Sequence, residues 1–187
     1  MRITDGTGPG GGVHADAAAG FKDIVMGLHW DPPLGDARAD PADLDALCVL
    51  FDARDRVLEV IDPHCPRSAN GSVVHTGDSR DGASHWDDER IFVFLEALPE
   101  AVQRLEFFVA SATRHAFHEV RGAQCHVSDN ASEHEWLRLD LTVLEGRRSH
   151  AVAAVQRGAE GWTITAGGLA PDDERLAGLR RLSNRPQ

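Results

Sequence analysis

From residue 21 onward the chain is cut into short apolar runs separated by turn-forming residues, and this recurrence restricts the fold more than any other feature. The runs are 24–28, 44–51, 57–61, 72–75, 91–95, 105–110, 123–127, 136–141, 151–155 and 162–166. Their lengths suit strands and are too short for most helices. In Arg104-Leu105-Glu106-Phe107 and in Trp136-Leu137-Arg138-Leu139-Asp140-Leu141 polar and apolar residues exchange at period two, as a half-buried strand requires. The chain is therefore expected to be all-β, with about ten strands in two packed sheets or a barrel. Two short helical pieces are expected: a single turn at 98–102, with Pro99 near its start, and a tail helix at 171–182 that is acidic first and basic last.

A length of 187 residues with 42% apolar content supplies one or at most two domains with a real core. Residues 21–187 read as one domain, preceded by a Gly- and Ala-rich flexible arm or weak edge element over 1–20. The net charge of −11 argues against nucleic acid, whose phosphates need clustered Lys and Arg. No segment approaches the roughly 18 consecutive apolar residues of a membrane span, and the first residues lack the apolar stretch of a secretory signal, so no integral membrane association and a cytoplasmic location are expected. Cys48, Cys65 and Cys125 form no CxxC pair; Cys48 and Cys125, inside apolar runs, are expected to be small buried residues.

The charge is unevenly distributed. Residues 31–89 hold 14 carboxylates and five arginines, a balance of −9. The acids fall in clusters: Asp31 with Asp36 and Asp40, then Asp43 and Asp45, then Asp78, Asp81, Asp87, Asp88 and Glu89. Asp43 and Asp45 flank Leu44, so an extended chain presents both carboxylates on one side. Like charges held together are costly unless a cation or a proton relieves them, and Ca2+, with its 6–8 oxygen ligands, suits carboxylates on loops. The stretch from Asp78 to Glu89 has the length of an EF-hand loop, but Arg80 stands at a ligand position and Ala83 at the obligatory glycine.

These residues occur in motifs. Gly27-Leu28-His29-Trp30-Asp31, Asp43-Leu44-Asp45-Ala46, Val49-Leu50-Phe51-Asp52, Val73-Val74-His75-Thr76-Gly77-Asp78 and Asp87-Asp88-Glu89-Arg90-Ile91 resemble, in order and spacing, the TerD family of tellurium-resistance and stress proteins. The resemblance covers roughly residues 21–182 and is most specific from Val73 to Ile91. It implies a two-sheet β-sandwich, a cytoplasmic location, calcium held by acidic loops, and a role in resistance to tellurite and other stresses with no catalytic reaction attached; the expected mode of action is contact with other stress-response proteins. Asp31, Asp43, Asp45, Asp78, Asp87, Asp88 and Glu89 match its acidic positions and are the metal ligands it implies. Ser79, His85-Trp86 and His64-Cys65 replace residues that are Asn, Asp-Gly and paired Asn in the family pattern, each change removing an oxygen ligand or a flexible glycine.

Imidazole and thiolate favour zinc or nickel over calcium, so His64, Cys65, His75 and His85 form an alternative metal set, which would make the protein a hydrolase-like metalloenzyme using a metal-bound water. No GxSxG elbow or paired Cys and His supports other catalysis. Trp86, inside the acidic loop, is expected to plug the packing there, the alternative being an exposed contact residue.

Overall fold

The computed structural model describes residues 14–15, 22–34, 41–168 and 178. All ten expected runs are strands: β2 (Asp23–His29), β3 (Leu44–Phe51), β4 (Val57–Ile61), β5 (Val73–His75), β6 (Glu89–Phe94), β7 (Arg104–Ser111), β8 (Gln124–Asp129), β9 (Glu135–Asp140), β10 (Ser149–Gly158) and β11 (Gly161–Ala166). A short β1 (His14–Ala15) pairs with β11, so this part of the N-terminal stretch is an edge element. The remainder of residues 1–20, the expected tail helix at 171–182, and Asp36 and Asp40 lie outside the described residues or, at Gly178, are described only singly.

The strands form two antiparallel sheets, ordered β1-β11-β10-β7-β3-β4 and β5-β6-β2-β8-β9. The architecture is a sandwich, not a barrel. One core fills the space between the sheets: Ile24, Met26 and Leu28 of β2, Ile91 and Val93 of β6, and Val127 of β8 meet Ala46, Cys48 and Leu50 of β3 and Phe107 of β7. Cys48 and Cys125 are both buried in this core.

The uninterrupted apolar run of β3 has a separate cause. Every residue of this strand is buried, and Leu47, Val49 and Phe51 join Phe108, Ala110 and Ala151 in a second cluster on the sheet's other face. Burial on both faces removes the polar alternation that a half-solvated strand shows. On that face Arg104 is paired with the buried Glu106, and its guanidinium lies 4.0 Å from the centre of the Phe51 ring.

The helical turn expected at 98–102 lies elsewhere. A 3-10 turn occupies Leu95–Ala97, Leu98 is extended at φ −65° and ψ 133°, and Val102 N–H donates to Pro99 carbonyl (2.9 Å) to close a tight turn. Proline disfavours the helical region for the residue before it, which ends the 3-10 turn at Leu98. Two further 3-10 turns, at Phe117–Glu119 and Leu141–Val143, round corners between strands.

The core location predicts mutational costs. Phe107→Ala, at a fully buried site, should lose about 3–5 kcal/mol of stability in urea unfolding. Val143→Ala, at an exposed one, should change it by less than about 0.5 kcal/mol.

Candidate metal centre

The site grows from a gap at the edge of one sheet. Pairing of β3 with β4 begins only at Cys48 opposite Ile61, so the first half of β3 has no strand on that side. Glu89, the first residue of β6 in the opposite sheet, fills the gap: its Oε2 accepts the Ala46 N–H at 2.8 Å. Glu89 Oε1 accepts from Ser79 N–H at 3.3 Å, and Oε2 lies 3.2 Å from His75 Nε2. His75 Nδ1 accepts from Gly77 N–H (3.1 Å), so the proton must sit on Nε2, which then donates to Glu89. Both side chains of this pair are fully buried. Burial raises the Glu89 carboxyl above its usual range and the nearby Asp45 adds to that, against the stabilising contacts from His75 and Ala46.

The residues that follow β5 form a loop, 76–88, tied down by the next two carboxylates. Asp88 is fully buried at its side chain. Its Oδ2 accepts from Trp30 N–H (3.0 Å) and faces His29 Nδ1 at 2.9 Å, and its Oδ1 accepts from Ser84 N–H (3.0 Å). Asp87 points to the outer face of the β2 sheet, where Arg90 Nε (2.8 Å) and His126 Nε2 (3.2 Å) hold its Oδ2. Burial works to raise its pKa, but the hydrogen bonds from His126 and Arg90 outweigh it and hold the carboxyl below the usual range.

Asp43, Asp45 and Asp78 converge instead. Each offers an oxygen within 4.8 Å of the others, and no other group of three or more His, Cys, Asp or Glu side chains does so among the described residues. Asp43 and Asp45 stand on one side of the chain entering β3, as the spacing predicts, and the loop brings Asp78 to them. At such separations each pair of like charges repels by roughly 1–3 kcal/mol, depending on how much water screens it. The Arg80 guanidinium, 2.9 Å from Asp78 Oδ2, offsets part of this, and its hydrogen bond to Asp78, with the charges of Asp78 and Asp43, raises its pKa. A donor set of carboxylate oxygens alone suits a hard cation such as calcium.

Among the seven acidic positions implied by the resemblance, these three meet. Asp31 is not in this group: its Oδ1 lies 3.8 Å from Nε2 of His29, the residue that also faces Asp88, and its Oδ2 lies 3.6 Å from Arg121 Nε, while Asp87, Asp88 and Glu89 are engaged as just described. The alternative set is not brought together either. His64 and Cys65 lie in a turn where Asp62 Oδ1 accepts both of their N–H groups (2.9 and 2.8 Å), His85 is exposed, and His75 uses both ring nitrogens.

Trp86 is not a plug. It is 77% exposed, and its backbone is held on both sides, by Ser84 Oγ on its N–H (3.2 Å) and by His29 Nδ1 on its carbonyl (2.8 Å). The buried position belongs to Trp30, whose indole N–H donates to Ala42 carbonyl (3.1 Å). A methyl group at Gly82 would fall 2.5 Å from the Trp30 ring, and Gly82 has φ +63°, so only glycine fits. Sequence reasoning passed over His29, Arg90 and His126. His29 was in a quoted motif, and His126 follows the period-two pattern of β8, but their carboxylate partners are far along the chain.

Fold and site together define an all-β sandwich with an acidic cluster at its loop end. The chain belongs to the TerD domain family, whose model matches residues 10–181. It is 34% identical to tellurium resistance protein TerZ of Serratia marcescens, over 82% of each chain. It is 36% identical to tellurium resistance protein TerD of Alcaligenes sp. over 71% of this chain and 72% of that one. General stress protein 16U of Bacillus subtilis is 33% identical over 65% of this chain and 66% of its own length. The crystal structure of a homologue of telluride resistance protein (TerD) from Streptomyces coelicolor A3(2) has the same fold, with a TM-score of 0.74 at 22% identity, covering 89% of this chain and all of that one. The family is one of tellurium resistance and stress response. Among the described residues no helix is long and apolar enough to cross a membrane.

Two stability tests follow from the carboxylates. Glu89→Ala orphans the Ala46 N–H and should cost about 1–3 kcal/mol, whereas Glu89→Gln, which keeps an acceptor, should cost less. The pH dependences have opposite signs. Glu89, raised in the folded state, contributes stability that is full below its unfolded pKa of about 4.3 and is lost as pH rises through the folded value. Asp87, depressed, contributes stability that is full above about 3.9 and is lost as pH falls through its lower folded value. Urea titrations across the acid range should show Asp87→Asn flattening the acid limb and Glu89→Gln flattening the decline above it.

Proposed function

We propose that the protein is a non-catalytic, calcium-binding module of the tellurium-resistance and stress-response type, acting in the cytoplasm through contacts with other stress-response proteins. The observation that carries this reading is the convergence of Asp43, Asp45 and Asp78 at one end of the sandwich. Asp43 and Asp45 supply two oxygens from a rigid strand entry, and Asp78 supplies a third from a loop. Backbone carbonyls and water would complete the shell that calcium takes. A bound divalent cation would cancel the repulsion among the three acids. Glu89 and Asp88 hold the loop on the sandwich, so the third ligand arrives on a segment already fastened at its far end. The family membership and the names of the relatives support the stress-response part of the reading.

Thermal unfolding tests it. Calcium at about 100 Kd should add about 2.7 kcal/mol, a rise in Tm of about 5–10 °C for a chain of this size, and chelator should reverse it. Asp43→Asn and Asp45→Asn should each abolish most of the rise. Identical melts with calcium and chelator, or a rise that survives both substitutions, would overturn the proposal.

A further inference from the structure

Asp87 is implied as a metal ligand by its match to an acidic position of the family, yet its carboxylate lies in a seat of a different kind. Arg90 of β6 and His126 of β8 both stand opposite Gly27 of β2, so the three occupy one row across the sheet. In the middle of that row there is no side chain. A methyl group at position 27 would fall 2.2 Å from His126 Nε2 and 2.6 Å from Asp87 Oδ2. Gly27 does not have positive φ, so its lack of a side chain serves space and not backbone conformation. The notch it leaves admits the Asp87 carboxylate between Arg90 Nε at 2.8 Å and His126 Nε2 at 3.2 and 3.3 Å from the two oxygens. Ser128 Oγ lies 3.4 Å from His126 Nδ1, on the far side of the ring.

We propose that Asp87 is a latch and not a ligand: seated over Gly27 between Arg90 and His126, it pins the loop 76–88 to the outer face of the sheet and thereby presents Asp78 to Asp43 and Asp45. The inference rests on the calcium reading above and assigns Gly27, Arg90 and His126 as positioning residues for that site. A loop held in its binding-competent arrangement binds more tightly than one that must be selected from a mobile ensemble, by the ratio of the competent populations. The latch also accounts for Trp86, which precedes Asp87 and is held outside the packing with its backbone fixed.

The 187-residue chain is examined by hydrogen exchange without metal and by calorimetric titration with calcium chloride. Gly27→Ala and His126→Ala leave every carboxylate in place, and Asp87→Ala removes one. All three should speed amide exchange across 78–86 in the metal-free protein and weaken calcium binding about tenfold, with the number of ions bound unchanged. Asp87→Asn, whose amide oxygen still accepts from Arg90 and His126, should restore most of the affinity. If Gly27→Ala fails to fold, His126→Ala serves the same purpose. Unaltered exchange in the metal-free variants overturns the latch. So does full affinity in Gly27→Ala and His126→Ala together with loss of an ion in Asp87→Ala, which would make Asp87 a ligand. A wild-type protein that binds no calcium overturns the proposed function instead, and the exchange measurement then decides the latch alone.

Discussion

The contact between Glu89 and the open edge of β3 is the joint on which the site depends. A sandwich needs its two sheets registered against each other, and apolar packing alone fixes their separation better than their relative position. Here a buried carboxylate from the first residue of β6 takes a backbone N–H that a missing strand would have taken, and the same group holds His75 of β5 and Ser79 of the loop. Burial makes its ionised form expensive, which is why three donors surround it. Because Ala46 lies one residue past Asp45 and Ser79 one past Asp78, the joint brings the two strands of chain that carry the converging acids to one place.

The run Asp87-Asp88-Glu89 shows how adjacent carboxylates take on three structural roles. Asp87 faces outward to Arg90 and His126, Asp88 is buried against Trp30, His29 and Ser84, and Glu89 crosses to the other sheet. Asp88 lies in a bend just before β6, so the period-two alternation that would put Asp87 and Glu89 on one side does not run through the three acids, and they do not form one cluster. What remains at the loop end is a smaller group with a cation already beside it, since Arg80 pairs with Asp78.

Much of the fold was legible because strands announce themselves locally. Short apolar runs between turn-forming residues locate the ten strands to within a few residues at each end, β3 among them, although its two-sided burial is not visible in the sequence. The expected helical turn at 98–102 is a tight turn closed at Pro99 and Val102 with the 3-10 turn before it at Leu95–Ala97, because Pro99 disfavours the helical region for Leu98. The site was half legible. Asp43 and Asp45 follow from spacing alone, whereas the partners of Asp87, Asp88 and Glu89 lie 39, 58 and 43 residues away, at His126, Trp30 and Ala46. Composition records a carboxylate without recording which hydrogen bonds it has already accepted. Trp86 was misread for the same reason, since the packing position it was given is filled by Trp30 from another strand end.

The most direct measurement is a crystal structure of the protein grown with calcium, phased to show anomalous scatterers. The account predicts one strong peak bounded by the carboxylates of Asp43, Asp45 and Asp78, with oxygen distances of about 2.3–2.6 Å, and with Asp87 still seated over Gly27. No peak at this position in crystals that hold calcium, or a peak coordinated by Asp87 and Asp88 instead, would contradict it.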